Sequence, residues 1–244
     1  MKGSWILLKK ELKDVFASPL IYVLTGLFSA LMGWLFYNYL VGSSQQDQLS
    51  LSDAVLRPLF GNMNFVFLFF TPLITMRAFA EEKKQHTLEL LFLSELKDLE
   101  NIVGKFLACL IMASFMLLFT LIFPIILSFS GFSDWGMVGS SYLGILFSVS
   151  CYTAVGLFMS SLTKNQILAA ISSFCLLLAV MLLVVTANAT ENMMVGRIVE
   201  YFSVPFHFEQ MVRGSLRSYN VAYFASFLGF FFYLTHQSLG SRRW

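Results

Sequence analysis

The sequence predicts an all-α integral membrane protein with six transmembrane helices. Hydrophobic residues make up 57% of the 244 residues and charged residues only 12%, a composition far outside the range of soluble globular domains. The apolar residues form unbroken, charge-free runs of about twenty, the length that a helix needs to cross the hydrocarbon core of a bilayer. Barrel strands would instead alternate over about ten residues. We therefore expect residues 1–244 to form one membrane domain without a soluble one.

Six charge-free stretches are the predicted spans. Pro19 is expected to stop the preceding helix and to start the first span. The spans are residues 20–41, the interval between Arg57 and Arg77 centred on residues 65–76, the stretch from Lys105 to about Phe129, and residues 138–161, 167–187 and 221–239.

Lysine and arginine divide unequally between the two sides of these spans, twelve against four. By the positive-inside rule, the richer side is cytoplasmic and carries both termini. The richer set is Lys2, Lys9, Lys10, Lys13, Arg77, Lys83, Lys84, Lys97, Lys105, Lys164, Arg242 and Arg243; the other is Arg57, Arg197, Arg213 and Arg217.

The first 19 residues are amphipathic and charged, unlike a cleavable signal peptide. We expect a helix that lies along the inner leaflet with its lysines near anionic headgroups. A plain membrane anchor and a direct part in gripping a partner both remain open. The apolar face holds Trp5, Leu8, Leu12, Val15 and Phe16, opposite Lys9, Lys10 and Lys13.

A charged segment, residues 77–100, follows the second span. Its residues Leu88, Leu91, Phe92 and Leu96 recur at helical spacing and share one face. A helix of this kind at the cytoplasmic surface can dock into a soluble partner and pass force into the spans. Periodicity alone leaves an ordinary solvated loop as the alternative. The side chains expected on the water side of the preceding turn are Glu81, Glu82, Lys83 and Lys84.

A second long connection, residues 188–220, lies between the fifth and sixth spans. Apolar residues alternate there with Arg197, Glu200, Glu209 and Arg213, which predicts two short amphipathic helices in the outer leaflet. Gly214 follows the second of them and is expected to be a left-handed cap.

Small residues and prolines mark the spans themselves. Small residues four apart in the first span (Gly26, Ser29, Ala30, Gly33) and in the fourth (Gly144, Ser148, Gly156, Ser160) predict close helix contacts. Pro72 and Pro124 each remove one backbone hydrogen bond and are expected to kink spans two and three, as hinges or as fixed bends.

No catalytic constellation is recognisable. The sequence lacks a phosphate-binding loop, a G-x-S-x-G or H-E-x-x-H motif and any acidic residue inside the predicted spans. The three cysteines, Cys109, Cys151 and Cys175, lie on different spans and are expected to be buried thiols. His207 beside Glu209 leaves a metal site as a weak alternative. We therefore expect no catalytic residue, metal or cofactor in this chain and no nucleic-acid partner.

The charged segment carries a recognisable motif. Residues 81–91, Glu-Glu-Lys-Lys-Gln-His-Thr-Leu-Glu-Leu-Leu, resemble the E-E-[KR]-x-x-[GH]-T-[LI]-E-L-L signature of ABC-2 type transporter permeases, with His86 where the family usually has Gly. Residues 160–166 look like the second cytoplasmic coupling turn of that family. The resemblance implies that ATPase contacts are made by Glu81, Glu82, Lys83, Thr87, Leu88, Glu89 and Leu91, and in the second turn by Lys164 and Asn165.

The C-terminal part is similar to the gliding-motility (GldF-like) and NosY-like branch of the family. The similarity lies in residues 206–209, in Arg213-Gly214, in Tyr223-Phe224, in residues 232–235 and 238–239, and in the terminal Arg242-Arg243-Trp244. For exporters of this kind, the resemblance implies that the outer helices cap the exit of the transport path. The residues placed at such an outer gate are Phe206, Phe208, Arg213 and Gly214.

The resemblance implies a permease subunit of an ABC exporter in the bacterial cytoplasmic membrane. ATP and Mg²⁺ would be bound by a separate ATPase, and the chain would pair with a second copy or a related permease and with membrane lipid. A periplasmic auxiliary protein is a further expected partner. The alternative is a force-transmitting or assembly subunit that moves no substrate. Neither the substrate nor the direction of transport follows from the residues.

Overall fold

The structure, a computed structural model, describes residues 2–43, 50, 52–85, 98–130, 134–189 and 193–240. These ranges are mostly helical and contain no β-strand. Residues 86–97 include much of the charged segment, so its predicted amphipathic stripe lies outside the described residues. The helices are α1 (Lys2–Ala17), α2 (Pro19–Ser43), a π-helical turn (Ser52–Leu56), α3 (Arg57–Thr75), α4 (Arg77–Lys84), α5 (Asp98–Thr120), α6 (Ile122–Ser128), α7 (Trp135–Leu162), α8 (Gln166–Ala189), α9 (Met193–Tyr201), α10 (Val204–Val212) and α11 (Ser218–Gly240).

Among the described residues, five helical stretches are long and apolar enough to cross a membrane, and they overlap the first five predicted spans. The chain is therefore a multi-pass membrane protein. The sixth predicted span forms one continuous 23-residue helix, α11, which is less apolar than the other five. Its passage through the membrane stays a prediction. The five stretches are Pro19–Ser43, Asp53–Lys84, Leu99–Ser128, Trp135–Leu162 and Gln166–Thr186.

The long helices run between two ends of the bundle, which we name the α4 end and the α10 end. Thr75 of α3 meets Gly156 of α7 at the α4 end, and Gly144 of α7 meets α10 at the other end. Both α1 and the last turns of α11 lie at the α4 end, since Glu11 contacts α5 there and Ser238 contacts Ser161. The structure thus brings the beginning and the end of the described helices to the same side.

Helix α7 forms the centre of the bundle. Of the apolar stretch of α7, 72% is buried inside the chain, compared with 17% for α8. Helices α3, α5, α8, α10 and α11 all pack against α7. A helix that is surrounded by other helices needs no charged face, which explains why the apolar residues of α7 are distributed around the whole helix. Helices α2 and α8 lie at the rim and expose large apolar side chains such as Trp34 and Ile167.

The small residues of α7 make close contacts as predicted, but those of α2 do not. A Cβ atom added to Gly156 would lie 2.1 Å from Thr75 Oγ1, and one added to Gly144 would lie 3.0 Å from Met211 Cβ. Gly26 and Gly33 face open space instead, with no atom within 4 Å of an added Cβ. The expected contact of the first span is therefore not made within the described chain, because α2 lies at the rim.

The two spans with prolines differ in their geometry. Helix α3 continues through Pro72 to Thr75, and Met76 keeps helical backbone angles (φ −55°, ψ −31°), with its N–H donating to Pro72 O at 2.9 Å, so that the chain passes into α4. The third predicted span is interrupted at Leu121, three residues before Pro124, which separates α5 from α6. Proline clashes with the carbonyl four residues earlier, which accounts for a break at this position. At the N-terminus, α1 ends at Ala17 and α2 begins at Pro19, as predicted.

One prediction about the cysteines is wrong. Cys109 and Cys151 are buried as expected, but Cys175 is exposed on α8. The reason is the position of α8 at the rim, where one helix face is turned away from the bundle. All three thiols are free.

Candidate functional site

Helix α4 extends α3 across the end of α7, and one serine joins the two. Ser160 Oγ accepts hydrogen bonds from the backbone N–H groups of Phe79 and Ala80, both at 3.1 Å, and donates to Met76 O at 3.2 Å. The first N–H groups of a helix lack partners inside that helix, so Ser160 serves as a cap supplied by another element. Phe79 is fully buried below this junction. The start of α4 is thereby fixed to α7.

Lys83 also connects α4 to α7, and the prediction made for it is wrong. The sequence places Lys83 and Glu82 on the water side, but Lys83 is 6% exposed and its ammonium donates to the backbone carbonyl of Ser161. Glu82 is also mostly buried, with 18% of its side chain exposed. The water-side prediction fails because α4 lies against α7 and α5 instead of projecting freely. Ser161 Oγ in turn donates to Ser238 Oγ of α11 at 3.0 Å, so the junction includes the last helix.

A buried lysine, Lys105, joins α5 to α4 and to α1. Lys105 of α5 is 2% exposed, and its Nζ lies 2.7 Å from Glu82 Oε1 of α4 and 2.8 Å from Glu11 Oε1 of α1. Its ammonium also lies 5.4 Å from the centre of the Phe79 ring. A buried charge is tolerated only when it is paired and hydrogen-bonded, as here with two carboxylates. The position of α4 relative to α1 and α5 is therefore set by Lys105.

Three of the remaining residues predicted to contact an ATPase, Glu81, Lys164 and Asn165, lie outside this buried junction. Glu81 is half-buried, and its Oε1 accepts a hydrogen bond from Gln85 at 3.4 Å. Lys164 and Asn165 are exposed in the turn between α7 and α8, where Asn165 Oδ1 accepts from Ile167 N–H at 3.0 Å. The other predicted contacts, Thr87, Leu88, Glu89 and Leu91, lie outside the described residues.

At the α10 end, the predicted pair of short helices is present as α9 and α10. Gly214 follows α10 with φ of +80°, which confirms the left-handed cap. Its N–H donates to Met211 O at 3.0 Å, and the Ser215 N–H donates to Gln210 O at 3.1 Å. Such bonds satisfy the last carbonyl groups of the helix.

His207 holds the outer helices to α11. Its buried ring lies between Asn220 Oδ1, 2.8 Å from Nδ1, and the Tyr201 carbonyl, 3.0 Å from Nε2. The ring also stacks on Tyr223 at 4.0 Å between centroids. Both ring nitrogens are thus engaged within the protein, and no group of three or more potential metal ligands occurs among the described residues. The structure therefore gives no support to the weak metal alternative at His207.

The four residues predicted at an outer gate have different environments. Phe208 is buried against Gly144, whereas Phe206 is half-buried on the side of Tyr201. Arg213 is exposed and pairs with Glu209 one turn earlier in the same helix. Phe208 and Arg213 line one cavity of about 330 Å³ together with α3 and α8. The structure brings these two together and places Phe206 elsewhere.

The sequence did not reveal the residues that connect the helices at the α4 end. Lys105 is counted only as a positive charge near a membrane surface, and Glu11 only as part of an amphipathic helix. A lysine at the start of a long apolar run was the available signal, because a buried charge requires a carboxylate partner. The identity of that partner depends on tertiary contacts.

A family of known proteins matches this chain. A family model described as "ABC-2 family transporter protein" matches residues 5–235, nearly the whole chain. The chain belongs to the ABC-2 transporter family. No curated protein matches it. Family membership makes the chain the membrane component of a transporter system, distinct from the component that hydrolyses ATP.

Proposed function

We propose that this ABC-2 family member is the permease subunit of an ATP-driven exporter, and that α4 and the residues after it receive movement from a separate ATPase. The observation that carries the proposal is the junction around α4. Ser160 and Lys83 attach α4 to the end of α7, and Lys105 attaches it to α5 and α1. A displacement of α4 would therefore move the central helix and two neighbours together.

The predicted coupling residues divide into two groups in this proposal. Glu82 and Lys83 act inside the membrane subunit, because they are buried and bonded to α5 and α7. Contact with the ATPase falls to Glu81, to Thr87, Leu88, Glu89 and Leu91, and to Lys164 and Asn165 in the neighbouring turn. The turn follows Leu162, the neighbour of Ser161, which Lys83 of α4 contacts, so a single ATPase surface could reach both α4 and this turn. ATP and Mg²⁺ would remain in the partner chain.

A second permease copy, or a related chain, would pack on the rim of the bundle. Helices α2 and α8 expose apolar side chains, among them Trp34 and Ile167, each 67% exposed. Gly26 and Gly33 also face open space on α2. Small residues allow close approach of a helix from another chain. The transport path would form between the two copies, with Phe206, Phe208, Arg213 and Gly214 near its outer exit.

The orientation is proposed from the segregation of charge. Lys10, Lys83 and Lys105 lie at the α4 end, whereas Arg57 and Arg213 lie at the α10 end. We place the α4 end and both termini in the cytoplasm of a bacterium and the α10 end outside its inner membrane. Single cysteines at Ser43 and Asn192 should label from outside in a background without native thiols. Labelling of Gln85→Cys from outside would reverse the orientation.

The coupling proposal is tested by purification of the tagged chain from native membranes. The wild type should retain an ATPase subunit, and Leu88→Asp should reduce its recovery at least tenfold. Leu216→Asp is the matched control, because Leu216 is 53% exposed at the opposite end. Equal ATPase recovery and equal ATP hydrolysis in all three proteins would contradict the assignment.

The similarity of residues 206–244 supports placement with the gliding-motility and NosY-like permeases, which adds a periplasmic auxiliary protein as a proposed partner. The second candidate function is a force-transmitting or assembly subunit, which would use the same junction. A complex with α4-dependent ATP hydrolysis but without a continuous polar cavity between its two permease copies would favour that candidate.

A further inference from the structure

A cavity of about 420 Å³ lies at the α4 end between α1, α4 and α5, and we name it the α1 pocket. Its size falls within the range of binding sites for small molecules. Transmission of movement through α4 does not require an open space beside Lys105.

The lining of the α1 pocket changes from charged to apolar within one helical turn. Arg77 lies at the charged side, and Leu73 lies four residues earlier on the same helical face. On α5, Lys105 precedes Cys109 and Met112 in the same way. One turn corresponds to about 5.4 Å. Leu73 remains 38% exposed, so the apolar side continues to the outer surface of the bundle.

The charges at the mouth of the α1 pocket are mixed. Four carboxylates and three cations line it: Glu11, Asp14, Glu81 and Glu82 against Lys10, Arg77 and Lys105. Lys105 is already engaged by Glu11 and Glu82. Lys10 and Arg77 are exposed at the mouth, and neither forms a salt bridge with another described residue. A purely anionic ligand would meet an excess of carboxylates.

We propose that the α1 pocket binds one zwitterionic phospholipid whose headgroup carries a phosphate and a primary ammonium, the chemistry of phosphatidylethanolamine. The Arg77 guanidinium offers paired N–H donors that match phosphate oxygens, and Lys10 supplies a second positive charge. Asp14 and Glu81 supply acceptors for the three N–H donors of the ammonium. The pocket holds the headgroup and the glycerol, and the acyl chains leave along Leu73.

The mixture of charges selects this lipid over the other common headgroups. Phosphatidylglycerol offers no cation to Asp14 and Glu81, and its net negative charge faces the carboxylate excess. Phosphatidylcholine keeps the positive charge but has no N–H to donate. The inference rests on the membrane placement of the chain and on the α1 pocket. Glu81 is shared with the proposed ATPase contact, but the test variants below leave Glu81 unchanged, so either proposal can fail while the other stands.

Native mass spectrometry of the full-length, detergent-purified chain tests the proposal. Phosphatidylethanolamine, phosphatidylglycerol and phosphatidylcholine with identical acyl chains are titrated separately. The first bound phosphatidylethanolamine should show an apparent affinity at least fivefold above the other two. The double variant Asp14→Asn, Arg77→Gln should lose this preference, and Arg77→Lys should keep most of it.

The matched control is Glu209→Gln, Arg213→Gln, which removes an exposed charge pair at the opposite end and should keep the wild-type preference. Asp14 and Arg77 are both exposed, so their replacement leaves the core intact, and gel filtration checks the fold of each variant. Equal affinity for the three lipids, or a preference retained in the Asp14, Arg77 variant, would overturn the proposal.

Discussion

The two ends of the bundle are held together by different chemistry. At the α4 end, a buried ammonium and two carboxylates connect α1, α4 and α5, and a second buried ammonium reaches α7. At the α10 end, hydrogen bonds and ring stacking around His207 connect the outer helices to α11. Two ion pairs among the described residues at that end, Arg213 with Glu209 and Arg57 with Asp53, are exposed and join residues four apart in the chain.

This difference indicates at which end of the bundle charged side chains fix one helix relative to another. A buried ion pair between elements has strict geometry, and removal of one partner leaves an uncompensated charge. An exposed pair between residues four apart stabilises only its own helix and contributes little. Loss of one charge at the α4 end is therefore expected to destabilise several helices together. The α10 end is expected to tolerate loss of its charges.

The largest expected effect is that of Lys105→Met. Glu11 and Glu82 would remain mostly buried without their cation, which costs about 3–5 kcal/mol in buried pairs. Thermal unfolding in detergent should show a marked loss of stability. Lys84→Met is the control, because Lys84 is exposed on the same helix as Glu82. Equal losses in the two variants would show that the buried pairs do not join the elements.

A second comparison uses three glycines of α7. In Gly156→Ala the new Cβ would overlap Thr75, and overpacking of this kind costs about 1–3 kcal/mol. Gly144→Ala should cost less, because Met211 needs to move by only a few tenths of an ångström. Gly139→Ala meets no atom within 4 Å and should be neutral or stabilising, since alanine favours helix. Any other order of the three unfolding temperatures would contradict the packing at the two ends.

The third prediction concerns the junction around His207. His207→Phe preserves the ring but removes the hydrogen bonds to Asn220 and to the Tyr201 carbonyl. Buried groups left without partners cost about 1–3 kcal/mol each, so hydrogen exchange of α9 and α10 should accelerate. Amides of α4 should be unaffected, which provides an internal control. Unchanged protection of α10 would mean that His207 does not hold it.

The smallest effect is expected from Arg213→Ala. The guanidinium is exposed, and its pair with Glu209 spans one turn of the same helical segment. Exposed pairs of this kind contribute about 0.3–0.5 kcal/mol. The unfolding temperature should change little, and the change should disappear at high salt. A loss comparable to that of Lys105→Met would refute the contrast between the ends.

Particular residues show how far the sequence alone could lead. Pro19 and Gly214 act through their own backbone, so a helix start and a left-handed cap were predictable at those positions. The outer helices were predictable as well, because their apolar spacing is a local pattern. The prediction that Lys83 faces water was wrong, because helical spacing cannot show that α7 lies beside α4. The predicted burial of Cys175 was wrong for the same reason, because the run of apolar residues in α8 does not reveal which helix face is covered.

The length of an apolar run and the distribution of charge along the chain are local properties, and they sufficed for the membrane class, the first five spans and the segregation of charge. Which side chains meet across helices is decided by packing, because burial of a charge becomes favourable only when its partner is brought to it from elsewhere in the chain. Lys105 illustrates the distinction. Its charge is visible in the sequence, but Glu11 lies 94 residues away along the chain and Glu82 lies 23 away. Only the folded bundle brings both carboxylates to the same ammonium.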